Sequence, residues 1–344
     1  MTDIKTLDLE QLLNLVYQMK WEKYRAIQIY QWLWQKNVES FDQMTNLSKT
    51  IRAQLAERFY ISRLKLAQIQ TGNDGTIKFT LELEDQNLIE SVLIIEQNRR
   101  TICVSTQVGC ALGCRFCATA RMGFIRNLRW HEIVEQIQAI INYTGISPTN
   151  IVFMGMGEPF MNIEEVFKAI VAINSDYGLR IGARRITVST AGIPEGIKKL
   201  AALPIQVRLA ISLNATTDSL RSKLMPINIK YPLNHLLAAA REYIIATGRR
   251  LTFEYVLLDG VNNLTADAER LIRMLRNIPC KINLIPFNSF PGADFSTPHP
   301  DKVSKFAQLL YPHLPAVTIR KSRGSQVLAG CGQLASRFQN CHRQ

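Results

Sequence analysis

The sequence predicts an α/β protein built on a parallel sheet rolled into a partial or full (β/α)6 barrel of the TIM type, with a small N-terminal helical domain and a linking β-hairpin. Three observations predict it. From residue 100 onward, six strand-like apolar runs alternate with six helical stretches, the order that builds a parallel sheet. Residues 1–60 hold three blocks with apolar residues at helical spacing and are nearly charge-neutral, unlike the rest. Between these parts, "IKFTLELEDQNLIESVLII" (77–95) reads as two strands turning at "EDQN". An open doubly wound sheet fits the same alternation. In either case ligand groups should gather at the C-terminal ends of the strands.

The N-terminal helices are "LDLEQLLNLVYQMK", "YRAIQIYQWLWQK" and "NLSKTIRAQLAERF", with Asp8 and either Asn46 or Ser48 as N-caps. The strand runs are "TICVSTQV", "NIVFMGMG", "RRITVSTAG", "VRLAISLNA", "LTFEYVLLDG" and "KINLIPFN". Helices are expected near 130–144, 162–176, 194–202, 234–247, 264–276 and 300–312, and "AVTIRKS" closes the series. The chain therefore divides into a helical accessory domain (1–75), the hairpin (76–98), the barrel (99–325) and a C-terminal segment (326–344).

Composition narrows the function. Apolar residues make up 47% and charged residues 20% of the 344 residues, as in an ordinary globular protein. No apolar run is long enough to span a bilayer and the N-terminus lacks a signal-peptide layout, so a cytoplasmic protein without a membrane partner is expected. The formal net charge is +13, which favours a polyanionic partner through phosphate contacts. The excess is uneven: residues 97–130 hold six arginines and no acid, and 302–344 hold seven Lys or Arg and no acid. These segments also carry most of the seven cysteines. A solvated basic surface would explain the charge alone; a basic substrate cleft explains both.

An odd cysteine count without a secretory signal argues for metal or redox chemistry over a disulfide framework. In "VGCALGCRFCATARMGF", Cys110, Cys114 and Cys117 follow the first strand in a glycine-containing loop. Soft thiolates suit zinc or iron–sulfur, and the second C-x2-C pair of a zinc knuckle is missing. Three ligands on a four-iron cluster leave one iron open for a small molecule. The second strand ends in "MGMGEP", where Gly157 allows close backbone approach and Glu158 offers a carboxylate to an ammonium group. Later strand ends bring the polar groups of Ser189, Ser212, Asn214 and Asn288 to equivalent depth, a rim for one ligand, and Leu213 between the second and third of them joins the candidate cofactor-binding residues. In "RKSRGSQVLAGCGQLA", Cys331 sits between glycines in an arginine-rich stretch, which suggests an accessible thiolate of low pKa. Cys103, in the first strand, could exchange a disulfide with it. Glu90 lies inside the apolar run "LIESVLII"; it reads as a buried base of raised pKa or, equally, as a solvent-facing edge residue.

C-x3-C-x2-C with Phe116 before the last cysteine resembles the signature of the radical S-adenosylmethionine superfamily. With "FMGMGEP", "PCKINLIPFN" and "RGSQVLAGCGQLA", nearly the whole chain resembles the RlmN/Cfr family, and within it the branch that methylates C2 of adenosine in 23S rRNA and tRNA. The resemblance implies a [4Fe-4S] cluster on Cys110, Cys114 and Cys117, with S-adenosylmethionine on the open iron and against the strand-end residues. It implies that Cys331 carries the methyl group, that Cys103 resolves the RNA adduct as a transient disulfide, and that Glu90 accepts the C2 proton. A flavodoxin- or ferredoxin-type donor and a monomer are also expected. One departure stands out: the family commonly has Ser-Leu-His where this chain has "SLN", and Asn214 cannot titrate. Methylation at C8 of the same adenosine, or a glycyl-radical activase, are the alternatives. Cys280 reads as core packing and Cys341 as a tail thiol.

Overall fold

Asp8 starts the first helix by accepting the Gln11 N–H, and Gln11 caps back in return. Helix α1 spans Leu9–Gln18, α2 Tyr24–Trp34 and α3 Lys49–Arg58; Ser48, not Asn46, caps α3. The computed structural model describes residues 1–335, so Cys341 and the end of the C-terminal segment lie outside the described residues.

The helical blocks dock on the main body without a seam. Trp34 packs its ring 5.0 Å from that of Trp130, and the Gln138 amide donates to the Leu33 carbonyl at 2.9 Å. Beneath them Lys5 forms a buried ion pair with Glu135. One apolar core runs from Ile4 and Leu12 through Trp34 into the sheet and its covering helices.

The sheet has ten strands: β1 Lys65–Thr71, β2 Ile77–Glu82, β3 Leu88–Glu96, β4 Arg99–Cys103, β5 Asn150–Phe153, β6 Ile186–Thr190, β7 Arg208–Ser212, β8 Leu251–Leu257, β9 Cys280–Pro286 and β10 Val317–Ile319. They lie side by side in sequence order. β1 to β4 form an antiparallel meander, and β4 to β10 are parallel. The crossovers carry α4 Trp130–Thr144, α5 Ile163–Asn174, α6 Pro194–Ala202, α7 Leu233–Thr247, α8 Thr265–Leu275 and α9 Pro300–Leu310. These are the six predicted strand–helix units.

The expected hairpin is in fact three-stranded. β1 pairs along β2, so a boundary at residue 75 cuts through a paired sheet. Strand β3 is therefore interior, and the edge-strand reading of Glu90 fails. The sheet curls far enough for Ile94 and Glu96 of β3 to line one cavity with Thr318 of β10. No hydrogen bonds join its two end strands. It is a partial barrel. The chain after β10 covers the gap: Arg323 approaches Glu96 at 3.4 Å, and Asp74 in the β1–β2 turn accepts the Gly324 N–H at 2.9 Å. Among the described residues no helix is long and apolar enough to cross a membrane.

Candidate active site

After β4 the chain leaves the sheet, and Gln107–Gly109 pairs antiparallel with Phe124–Asn127. This ribbon pinches off the loop that holds Cys110, Cys114 and Cys117. Gly109 sits at φ +74, and a Cβ there would collide with the Gly123 carbonyl. That carbonyl accepts the Cys110 N–H at 2.8 Å, so the pinch needs glycine. The Cys117 N–H bonds back to the Cys114 carbonyl at 3.1 Å, and a single helical turn, Ala118–Arg121, follows.

That turn receives the C-terminal segment. Ala118 N–H donates to the Gly332 carbonyl at 2.7 Å, and the Thr119 hydroxyl to that of Leu334 at 2.6 Å. Cys331 is thereby carried from the far end of the sequence to the cysteine loop. The Asn288 amide contacts its carbonyl at 3.4 Å, and Gln333 bridges to Ser289 at 2.6 Å. All four cysteines line one cleft of about 930 Å³, partly open to solvent, at the C-terminal ends of the parallel strands. Gly157, Glu158, Ser189, Ser212 and Asn214 line it as well.

Four predicted residues do not line the cleft: Glu90, Cys103, Leu213 and Asn288. Leu213 is fully buried, and its carbonyl accepts from Arg221 at 3.0 Å. Asn288 faces a smaller neighbouring cavity that also contains Cys331. Glu158 lines the cleft but is largely spent on the chain itself. Its carboxylate accepts from Thr190 and from the Ala191 N–H, each at 2.7 Å, and from the Phe160 N–H at 3.1 Å. A carboxylate has about four acceptor directions, so about one is left for a ligand. Burial raises its pKa and these three bonds lower it; the net shift is upward. Gly157 (φ +96) has the Gln107 side chain where a Cβ would stand. Asn214 adopts φ +58, a left-handed conformation that asparagine tolerates well. Its amide accepts the Val256 N–H at 2.8 Å and contacts the Met225 sulfur at 3.3 Å, which makes it a fixed corner of the cleft.

The expectation of a low-pKa Cys331 thiolate is not met. Burial and the Glu254 carboxylate push it up, to about 12, against the pull of Arg320. Cys331 itself is half-buried at the wall of the cleft, and a Cβ at Gly330 would meet the Gln333 and Asn288 side chains. Burial likewise lifts Cys103 to about 11 and Cys110 to about 12, and holds Cys114 well up. Cys103 and Cys331 lie within each other's electrostatic reach, and the half-buried Arg320 guanidinium feels both. Both are free thiols. Cys280 is buried in β9, as core packing requires.

Glu90 is buried on β3, with Lys78 Nζ at 3.0 Å from one carboxylate oxygen and no partner on the other. Burial raises its pKa, while Lys78 and the Ala335 N–H pull it down; the net shift is upward.

Sequence reasoning missed Glu254 and Arg221. Glu254 stands inside the apolar run of β8 and meets Ser189 at 3.3 Å in the cleft. An acid in an apolar strand was the signal that singled out Glu90, and it was present here too. Arg221 is fully buried and donates to the carbonyls of Ala191, Ser212 and Leu213 at 2.6 to 3.1 Å, knitting two strand ends together. Nothing in its polar helical setting marked it.

The donor set fits a polynuclear cluster. Among the described residues, no three His, Cys, Asp or Glu side chains converge closely enough to hold a single metal ion. Cys110, Cys114 and Cys117 instead line one cleft, and a second apolar cluster containing Leu112, Phe116, Met225 and Phe287 packs around it. Soft ligands in an apolar-walled cleft, beside polar rim groups, suit an iron–sulfur cluster and an organic cosubstrate.

Comparison with known proteins agrees with this class. The family described as the radical SAM superfamily matches residues 104–275, so fold and site define a radical S-adenosylmethionine enzyme, whose cofactors are a [4Fe-4S] cluster and S-adenosylmethionine. The family described as ribosomal RNA large subunit methyltransferase N-terminal domain matches residues 2–61. A dual-specificity RNA methyltransferase RlmN from Syntrophus aciditrophicus is 48% identical, over 97% of either chain. Its counterpart from Pelobacter propionicus is 45% identical over 98% of this chain and 96% of its own. A radical SAM methyltransferase from Sphaerobacter thermophilus, solved by crystallography, superposes with a TM-score of 0.91 at 44% identity, covering 97% of this chain and 99% of that one. The chain belongs to the RlmN family of dual-specificity RNA methyltransferases.

Proposed function

We propose that this enzyme methylates C2 of adenosine, at position 2503 of 23S rRNA and in tRNA, by way of a methylated cysteine. The observation that carries the reading is the docking of Cys331 onto the cysteine loop, in a cleft with a polar rim, with Cys103 within electrostatic reach behind it. C2 of adenine is an electron-poor carbon without a lone pair, so direct polar methyl transfer from a sulfonium is not open to it.

Cys110, Cys114 and Cys117 would hold the cluster, and Gly157, Glu158, Ser189, Ser212 and Asn214 would frame S-adenosylmethionine. When bound, the cluster and S-adenosylmethionine supply an electron, a methyl group and a hydrogen-abstracting radical. Cys331 would carry the methyl group as a thioether, lose one hydrogen atom from it, and add the resulting carbon radical to C2. The adduct would give up its unpaired electron to an iron–sulfur-class acceptor and its C2 proton to Glu90, which restores the aromatic ring. The Cys103 thiolate would then attack the Cys331 sulfur and break the sulfur–carbon bond; the freed carbon takes up a proton to become the methyl group, and a Cys103–Cys331 disulfide is left for an external reductant. A flavodoxin- or ferredoxin-type protein is the proposed source of electrons.

The N-terminal helices (2–61) would grip the RNA, in keeping with the family that matches them. Such substrates put the enzyme in the cytoplasm. Leu213 and Asn288 keep supporting parts, the first through its carbonyl and the second through the Cys331 backbone. The test is anaerobic reconstitution with 23S rRNA and tRNA, followed by nucleoside mass spectrometry. The expected product is 2-methyladenosine. An 8-methyl product would overturn the C2 reading, and cleavage of S-adenosylmethionine without RNA methylation would favour an activase.

A further inference from the structure

Below the catalytic cleft the barrel lumen is neither plugged nor apolar. Closed (β/α) barrels fill this space with layers of bulky branched side chains. Here a second cavity of about 1360 Å³, partly open to solvent, takes it up at the N-terminal ends of the strands. Alternate positions on each strand face it: Arg208 and Ala210 on β7, Thr252 and Glu254 on β8, Lys281 and Asn283 on β9.

Its charge is lopsided. Arg99, Arg208, Lys281, Arg320, Lys321 and Arg323 line it, against two acids, Glu96 and Glu254. Arg323 stands 3.4 Å from Glu96 and Arg320 3.9 Å from Glu254. Arg99, Arg208, Lys281 and Lys321 have no carboxylate partner among the described residues. Burial, together with Arg250, Arg99 and Arg208, holds the Lys281 ammonium below its ordinary range, so these cations feel one another. Hydroxyls stand among them on alternate strands, at Thr101, Thr187, Thr252 and Thr318. Uncompensated cations around a polar void repel each other, and an anion would relieve that repulsion. The cavity shares Glu254 and Met154 with the catalytic cleft, and Arg320, Lys321 and Arg323 with the smaller cavity beside Cys331.

We propose that this lower lumen is an anion site for phosphate groups, reached from the face of the barrel opposite the cysteine loop. The phosphate comes either from a stretch of the RNA backbone that passes the opposite face, away from the target nucleotide, or from a free phosphate compound. Only the first source rests on the RNA-methylation reading; a cation ring would hold a free phosphate whatever reaction the cleft performs.

The test compares the anaerobically reconstituted holoenzyme with the double variant Arg208→Gln, Lys281→Gln. A labelled RNA stem-loop with an unpaired adenosine is titrated over a salt series, and radiolabelled pyrophosphate is measured by equilibrium dialysis. Neither assay reads methylation, so failure of the proposed reaction would leave both results interpretable. If the RNA backbone occupies the site, the salt slope of RNA binding becomes shallower by about 1.4, from about 0.7 for each lost contact to single-stranded phosphate. If a free phosphate occupies it, pyrophosphate uptake weakens at least about tenfold while the RNA slope stays the same. The charge-conserving pair Arg208→Lys, Lys281→Arg should retain binding, which guards against mere misfolding. The pair Lys198→Gln, Arg241→Gln, exposed on α6 and α7, removes equal charge elsewhere and should change neither assay. No change in either assay for the lumen pair, or an equal change for the outer pair, would overturn the proposal.

Discussion

Lys78 and Glu90 sit across β2 and β3 with a salt-bridge contact of 3.0 Å, both almost free of water. A carboxylate must be ionised to accept a proton, so activity through Glu90 should rise with pH through its titration. Burial moves that titration upward and Lys78 restrains it. Replacing Lys78 with Met removes the restraint. The rising limb of the pH–rate profile should then shift to higher pH. Iron content and S-adenosylmethionine cleavage should stay at wild-type levels. An unmoved limb would remove Glu90 from the proton-accepting role. The cysteine pair allows a separate check. Cys331→Ala should abolish RNA methylation, whereas Cys103→Ala should leave a covalent protein–RNA adduct visible on a denaturing gel. A Cys103→Ala enzyme that turned over freely would show that another group resolves the adduct.

At the scale of elements, two devices place the chemistry. The ribbon that pinches the cysteine loop depends on Gly109; alanine there meets both a left-handed backbone and the Gly123 carbonyl. Gly109→Ala should cost about 1–3 kcal/mol locally and should cut bound iron sharply while far-UV circular dichroism barely changes. Full iron loading would mean that the ribbon does not position the cysteines. The second device is the stitch between Asp74 and the segment after β10. Partial burial works against the Asp74 carboxylate, but the Gly324 and Thr76 N–H groups hold its pKa below the ordinary carboxylate range. Asp74→Ala should open 324–335 to limited proteolysis and slow methyl transfer more than S-adenosylmethionine cleavage. Periodicity showed the helices to within a residue or two, because α4 and α6 each carry a full apolar face over a parallel sheet. It did not show β1, whose "KLAQIQT" is mostly exposed and lacks the apolar alternation that marks a half-buried strand. The cluster cysteines were legible from spacing, since one loop fixes their geometry. Glu254, Arg221 and the raised pKa of Cys331 were not, since each depends on a strand or segment far away in the sequence.

At the scale of the whole molecule, the N-terminal helices and the barrel share one apolar core, with the Lys5–Glu135 pair buried in the joint. Deleting residues 1–60 would strip that core and leave Glu135 without its cation, so the two lobes should unfold together. Burial raises Glu135 to about 7 against the pull of Lys5, while burial lowers the neighbouring His131 to about 4, neutral across the range that matters. A carboxyl raised on folding stabilises the native state fully below its unfolded pKa of about 4.3 and loses that contribution as pH rises through the folded value. Lys5→Met moves the folded pKa of Glu135 higher still. The variant should therefore lose little stability near pH 5, where Glu135 is protonated in the folded state. Near pH 8, an uncompensated buried charge should cost about 3–5 kcal/mol. Denaturant titrations at both pH values, followed by tryptophan fluorescence and circular dichroism, measure this directly. Coincident single transitions and a penalty that grows with pH are expected. Two separated transitions, or a penalty independent of pH, would mean that the helical lobe and the barrel are joined by something other than this buried pair and the core around it.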